Sequence, residues 1–159
     1  VDLNEAEKWG WFEDKELLSL YDTGKMLVVP PVLWVIQEIS KNPHVSSIDL
    51  TPQMPDQHIP GIEFLKGVRQ LPVQSHTLPP ATHTNAFIIG ESPNPRYLID
   101  PSPANQDELT RLCYSLKLYP IDGIFLTHHH FDHHERSNDI ARLLKLPVLL
   151  SEDTFQRIQ

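Results

Sequence analysis

Five histidines fall within the seven residues 128–134 of this chain, directly behind an apolar run. The stretch reads Thr127-His128-His129-His130-Phe131-Asp132-His133-His134, and the run before it, from Ile121, predicts a short buried strand over 121–127. Side chains two apart on an extended backbone share a face, so His128 and His130 can converge on one cation. Asp132 and His133 follow where the chain must turn, and point at a neighbouring position. Neutral imidazole and carboxylate are good ligands for zinc and related first-row ions. One ion would still lack a full ligand set from this stretch, and two ions would lack more. A purification tag sits at a terminus, whereas this cluster is internal and interrupted by Phe131 and Asp132. Strand alternation aims His129 away from His130, which makes it a neighbour rather than a ligand. His44 and His58 are expected to be solvent-exposed and His76 structural.

Composition narrows the partners. Thirteen Lys and Arg against 21 Asp and Glu give a net charge of −8, which disfavours a broad phosphate-binding face. Nucleic acid is therefore an unexpected partner, and a small-molecule substrate the expected one. No apolar run approaches the ~20 residues that span a bilayer, and residues 1–5 lack the basic and apolar regions of a signal peptide. A lone Cys113 excludes an internal disulfide framework. The expected location is cytoplasmic, with no membrane partner.

Thirteen of the 15 prolines lie between Pro30 and Pro103, which predicts short elements joined by ordered turns. Residues 13–21 read as a helix with acids in its first turn and Gly24 to end it. Pro30-Pro31 opens a second helix over 32–40, stopped at Lys41-Asn42-Pro43. Residues 43–60 read as a connector, which divides the chain into 1–55 and 56–159. Strands are predicted over 67–75, 84–89 and 96–99, the last two joined by a turn-rich hairpin. A helix opening at Pro103 carries Leu109, Leu112, Cys113 and Leu116 at helical spacing. A further helix is predicted over 135–146 and a strand over 147–150, and Ser151 is placed to cap a last turn through Ile158. Strands first, then helix–strand–helix–strand, predicts an α/β (α+β) sheet covered by helices on at least one face. The helices at 103–118 and 135–146 should share that face.

The run Thr127-His128-x-His130-x-Asp132-His133 resembles the T-H-x-H-x-D-H motif of the metallo-β-lactamase-fold hydrolases. Thr84-Asn85-Ala86-Phe87-Ile88-Ile89-Gly90 resembles that family's early strand. Tyr97-Leu98-Ile99-Asp100-Pro101 is similar to the strand ending in Asp that precedes its first helix. The resemblance covers about 67–159, and Leu78 to Asn85 looks most like the glyoxalase II-like and lactamase-like subgroup, some of whose members follow a Nudix domain. Trp9-Gly10-Trp11-Phe12 and the two helices after it resemble the tail of such a domain, without its Glu-rich catalytic signature.

The resemblance implies a partial αββα sandwich and a metal-dependent hydrolase. His128 and His130 would bind one zinc, and Asp132 and His133 a second, with Fe or Mn as alternatives. Asp132 is also the candidate catalytic residue. Water activated by the ions would attack an ester, thioester, amide or phosphodiester. Asp100 and Thr127 would support the motif by hydrogen bonding, and His83 lies on a candidate substrate loop. Two departures stand out. His134-Glu135-Arg136 replaces the Gly pair that usually follows the motif, so the start of the next helix must differ locally. The family's later ligands, a His, a bridging Asp and a final His, have no counterpart before Gln159. The chain therefore reads as the first half of the domain, a poor catalyst alone, with an exposed sheet face that favours a homo-oligomer. Two other readings stay open: a non-catalytic metal-binding or interaction fragment, and a nuclease of the same fold.

Overall fold

The computed structural model describes residues 10–49 and 57–158. The readings made on residues 1–5 and Trp9, and on Pro52 and Pro55 of the connector, lie outside the described residues. The chain divides into two compact units, 1–51 and 52–159.

The first unit is a helical hairpin of α1 (Asp14–Asp22) and α2 (Pro30–Lys41). Pro30 and Pro31 stand inside the first turn of α2, where a missing N–H costs no helical bond. Gly24, at φ +67, takes the chain out of α1 in a backbone region that glycine enters freely. Phe12, Leu17, Ile36 and Ile39 line one apolar groove. The Ser40 hydroxyl beside the Asp14 carboxylate holds that carboxyl below the ordinary carboxylate range.

The second unit is built on one six-stranded sheet whose strands lie side by side in chain order. They are β1 (Ile62–Leu65), β2 (Val68–Gln74), β3 (His83–Ile89), β4 (Tyr97–Ile99), β5 (Gly123–Leu126) and β6 (Val148–Leu150). The first four pair antiparallel, and β4·β5 and β5·β6 pair parallel. The predicted pairing of 121–126 with 97–99 is present, with Leu98 opposite Ile124. β1 was not anticipated. It is four residues long, carries a register shift between Glu63 and Leu65, and pairs only with residues 68–70. Pro72 lies past the end of that pairing, so its missing N–H faces the open side of β2.

Helices α3 (Gln106–Leu118) and α5 (Ser137–Leu144) cover the same face of the sheet, as predicted. Leu109, Leu112 and Leu116 of α3 and Ile140 of α5 join Leu71, Val73, Ala86, Ile88, Leu98, Ile124 and Leu126 in one buried core. Each Val, Leu or Ile side chain among them contributes roughly 1.5–3 kcal/mol relative to exposure. The opposite face carries Phe87, Ile99, Phe125 and Leu149 side by side in register, with Phe125 and Leu149 each 41% exposed. No helix among the described residues is long and apolar enough to cross a membrane.

Four expectations need correction. Helix α3 begins at Gln106 rather than Pro103, because the Asn105 side chain accepts from the Glu108 N–H at 2.9 Å and sets the cap there. Pro101, Ser102 and Pro103 are instead a buried segment outside any helix or strand. The helix predicted over 135–146 is the shorter α5, and a separate turn of helix that was not predicted, α4 (Phe131–His134), precedes it, the two parted where Arg136 takes φ +58. Residues 57–60 belong to the sheet unit rather than to a connector, since Ile59 is buried and its N–H donates to Ser115 Oγ at 2.8 Å. His58 is correspondingly half-buried, its ring 6.0 Å from that of Tyr114, rather than solvent-exposed. The predicted cap of α6 (Glu152–Ile158) is present, with the Thr154 N–H donating to Ser151 Oγ at 3.2 Å.

The Asn105 cap gives a direct test of the α3 start. Asn105→Ala should cost about 1 kcal/mol of stability, read as a lower urea midpoint with an unchanged slope.

Candidate metal centre

Strand β5 delivers Thr127 and the histidines at its C-terminal end, beside the end of the parallel strand β4, where Asp100 sits. Asp100 is 6% exposed and held at φ +49, a region sparsely used by residues other than glycine but tolerated by Asp. That backbone turns its carboxylate toward β5. Asp100 Oδ1 accepts from the Thr127 N–H at 2.8 Å, and Oδ2 accepts from Thr127 Oγ1 at 2.5 Å. Oδ2 also accepts from His133 Nδ1 at 3.1 Å.

These contacts fix proton positions. A carboxylate only accepts, so His133 carries its proton on Nδ1 and its Nε2 lone pair is left available. The Thr127 hydroxyl gives its own proton to Asp100, so it accepts from His128 Nδ1 at 2.8 Å. His128 is thereby left with Nε2 available as well. One buried carboxylate thus sets both imidazoles in the tautomer in which Nε2 can bind a metal. Burial, helped by the nearby charge of His133 and His130, lowers the His128 pKa below the ordinary histidine value. The neutral, ligating form is therefore favoured.

The rings gather closely. His128 lies 4.2 Å from His133 and 4.7 Å from His130 between centroids. Donor atoms of Asp100, His128 and His133 all fall within 4.8 Å of one another, the one such three-residue cluster among the described residues. Both Asp100 oxygens already accept hydrogen bonds, so its geometry suits an anchor for the ligands. His133 Nε2 faces Asp132 Oδ2 at 3.9 Å. Burial pushes the Asp132 carboxyl up, but a hydrogen bond from Thr77 and the charge of His133 outweigh it, and the group sits below the ordinary carboxylate range.

The remaining histidines sort differently. The His129 ring packs edge-on at 5.1 Å from His130, and its carbonyl accepts from His134 Nε2 at 3.1 Å. His83 opens β3 with its ring on Thr82 Oγ1 at 2.8 Å, and among the described residues no hydrogen bond or ring contact joins it to the motif. His76 reaches the segment just after the motif: its Nδ1 lies 2.8 Å from Glu135 Oε2. Sequence reasoning placed no such role on His76, because 59 residues separate the partners. The local departure expected after the motif is the break at Glu135–Arg136. There the Arg136 guanidinium donates to Asp139 at 3.2 Å and to Gln106 at 2.7 Å, joining the starts of α5 and α3.

Residues 79–150 match the family model of the metallo-beta-lactamase superfamily. That span runs from the β2–β3 loop through the histidine cluster to the end of β6. No curated protein matches the chain significantly. The mixed α/β sheet with its helices is consistent with a partial fold of this superfamily, and at superfamily level the match points to a metal-dependent hydrolase.

Proposed function

We propose that this chain carries part of the metal site of a hydrolase acting on small ester or thioester substrates, of the glyoxalase II-like and lactamase-like kind. The observation that carries the reading is the Asp100–Thr127 network, which engages Nδ1 of both His128 and His133 and leaves their Nε2 atoms open, with the two rings 4.2 Å apart. His128 and His130 would hold one ion, and Asp132 and His133 a second. Imidazole and carboxylate donors fit zinc best, with iron or manganese compatible. Bound divalent ions would supply Lewis acidity and make water nucleophilic near neutral pH. Asp100 holds the imidazoles in their ligating tautomers, and the Asp132 carboxylate is placed to accept a proton beside His133. Residues 1–55 read in the same spirit as the end of a Nudix-like domain that precedes the hydrolase.

Each ion would draw about two ligands from the motif, whereas catalytic zinc usually keeps three protein ligands and one open position. Residues 1–159 alone should therefore bind zinc with modest affinity and turn over slowly. Zinc titration against a chromophoric chelator, with a panel of aryl esters and thioesters, tests both statements. A folded chain that takes up no zinc overturns the metal reading. Robust hydrolysis by a monomer of this length overturns the division of ligands.

A further inference from the structure

A cavity of about 400 Å³ opens at the end of β5, and the metal network makes no use of it. Its walls include Leu126 and Leu150, the last residues of the parallel strands β5 and β6, and Phe155 of α6. Ligands of open α/β sheets sit at this end, outside the carboxyl ends of the parallel strands. The volume falls within the ~300–1,000 Å³ of small-molecule sites. No Asp, Glu, Lys or Arg is among the described residues that line it.

The polar groups of the lining are His134, Ser137 and Asn138. Ser137 is 3% exposed, and no hydrogen bond among the described residues involves its hydroxyl. A hydroxyl so deeply buried is costly to leave unpaired, and a ligand that enters the cavity can meet it. His134 is engaged on one side only. Its Nε2 donates to the His129 carbonyl at 3.1 Å, so the neutral ring keeps its lone pair on Nδ1. That bond, and the place of His134 directly after His133, join the cavity to the metal motif.

We propose that this cavity binds an uncharged apolar group bearing one hydrogen-bonding oxygen, with the Ser137 hydroxyl as its polar anchor. The apolar walls supply the affinity. A carboxylate or phosphate is disfavoured, because it would give up its hydration with no cation in the lining to replace it. The group held there is the acyl or aryl arm of the ester or thioester substrate. That role rests on the metal reading above, whereas the cavity itself is a property of the metal-free fold.

Fluorine NMR of the metal-free chain, titrated with para-fluorobenzyl alcohol, para-fluorotoluene and para-fluorobenzoate, tests the site. The alcohol should bind tightest and the benzoate weakest. Ser137→Ala should weaken the alcohol about 3–10-fold and leave the toluene unchanged. Asn138→Trp, at an exposed position of α5, should fill the cavity and block alcohol and toluene alike. No binding by the folded wild type, or wild-type binding in Asn138→Trp, overturns the site. Equal effects of Ser137→Ala on alcohol and toluene overturn the anchor. Cobalt(II) bound at the motif should broaden the fluorine line of the bound alcohol, and a line left sharp in the cobalt-loaded chain overturns the substrate role. If the chain takes up no cobalt, the metal reading and the substrate role fail together, and the metal-free titration alone decides the cavity.

Discussion

His128→Ala should strip metal from this protein, whereas His129→Ala should leave its metal content close to that of the wild type. The two residues are chain neighbours, half-buried alike, so composition and exposure do not separate them. Hydrogen bonding does. His128 Nδ1 is held by the Thr127 hydroxyl, which in turn is held by Asp100, and this leaves Nε2 to bind. The His129 ring rests against His130, and its contribution to the loop is a carbonyl that accepts from His134 and survives truncation to Ala. Deleting a direct ligand should cost more than the roughly 10–100-fold typical of losing a ligand's hydrogen-bond partner. Metal content of zinc-loaded protein after gel filtration measures the difference, with circular dichroism to show that both variants fold. Equal losses would overturn the ligand assignment.

Local periodicity made most of the sheet legible. The apolar run ahead of Thr127 and the Tyr97-Leu98-Ile99 run became β5 and β4, because continuous apolar strands are what a parallel pair under helices requires. Leu109, Leu112 and Leu116 were readable as one helical stripe for the same reason. The stripe over Ile140, Leu143 and Leu144 was only partly informative: Ile140 is buried, while Leu143 is 62% exposed. Ile62–Leu65 escaped notice because a four-residue strand with an irregular register leaves too little alternation to detect. The break at Arg136 depends on a left-handed φ at a residue that does not advertise one. Within the site, Asp100 was visible as the acid ending a strand. The contact of His76 with Glu135 depends on how the β2–β3 hairpin folds back toward the end of α4, and no local pattern records it.

Replacing Asp100 should separate two effects that the wild type combines, the stability of the motif and the proton positions of its imidazoles. In Asp100→Ala the Thr127 N–H and hydroxyl and the His133 Nδ1 proton all lose their acceptor. Asp100 is 6% exposed but its partners are partly open to water, which compensates for some of the lost bonds, and the loss should be about 1–3 kcal/mol. Asp100→Asn should fold much better, since Asn tolerates the same left-handed backbone and its amide oxygen can still accept from the Thr127 N–H. Its amide nitrogen, however, would then face Thr127 Oγ1 and His133 Nδ1 and can only donate to them. His133 would have to move its proton to Nε2, the atom needed for the metal. The Thr127 hydroxyl would be released to donate toward His128 Nδ1, with the same consequence there. Asp100→Asn should therefore retain a cooperative unfolding transition while zinc affinity falls about 10–100-fold. Two measurements decide it: a urea melt, and the imidazole nitrogen shifts of His128 and His133 by NMR. Unaltered Nδ1 protonation in Asp100→Asn, together with wild-type zinc affinity, would remove Asp100 from control of the site.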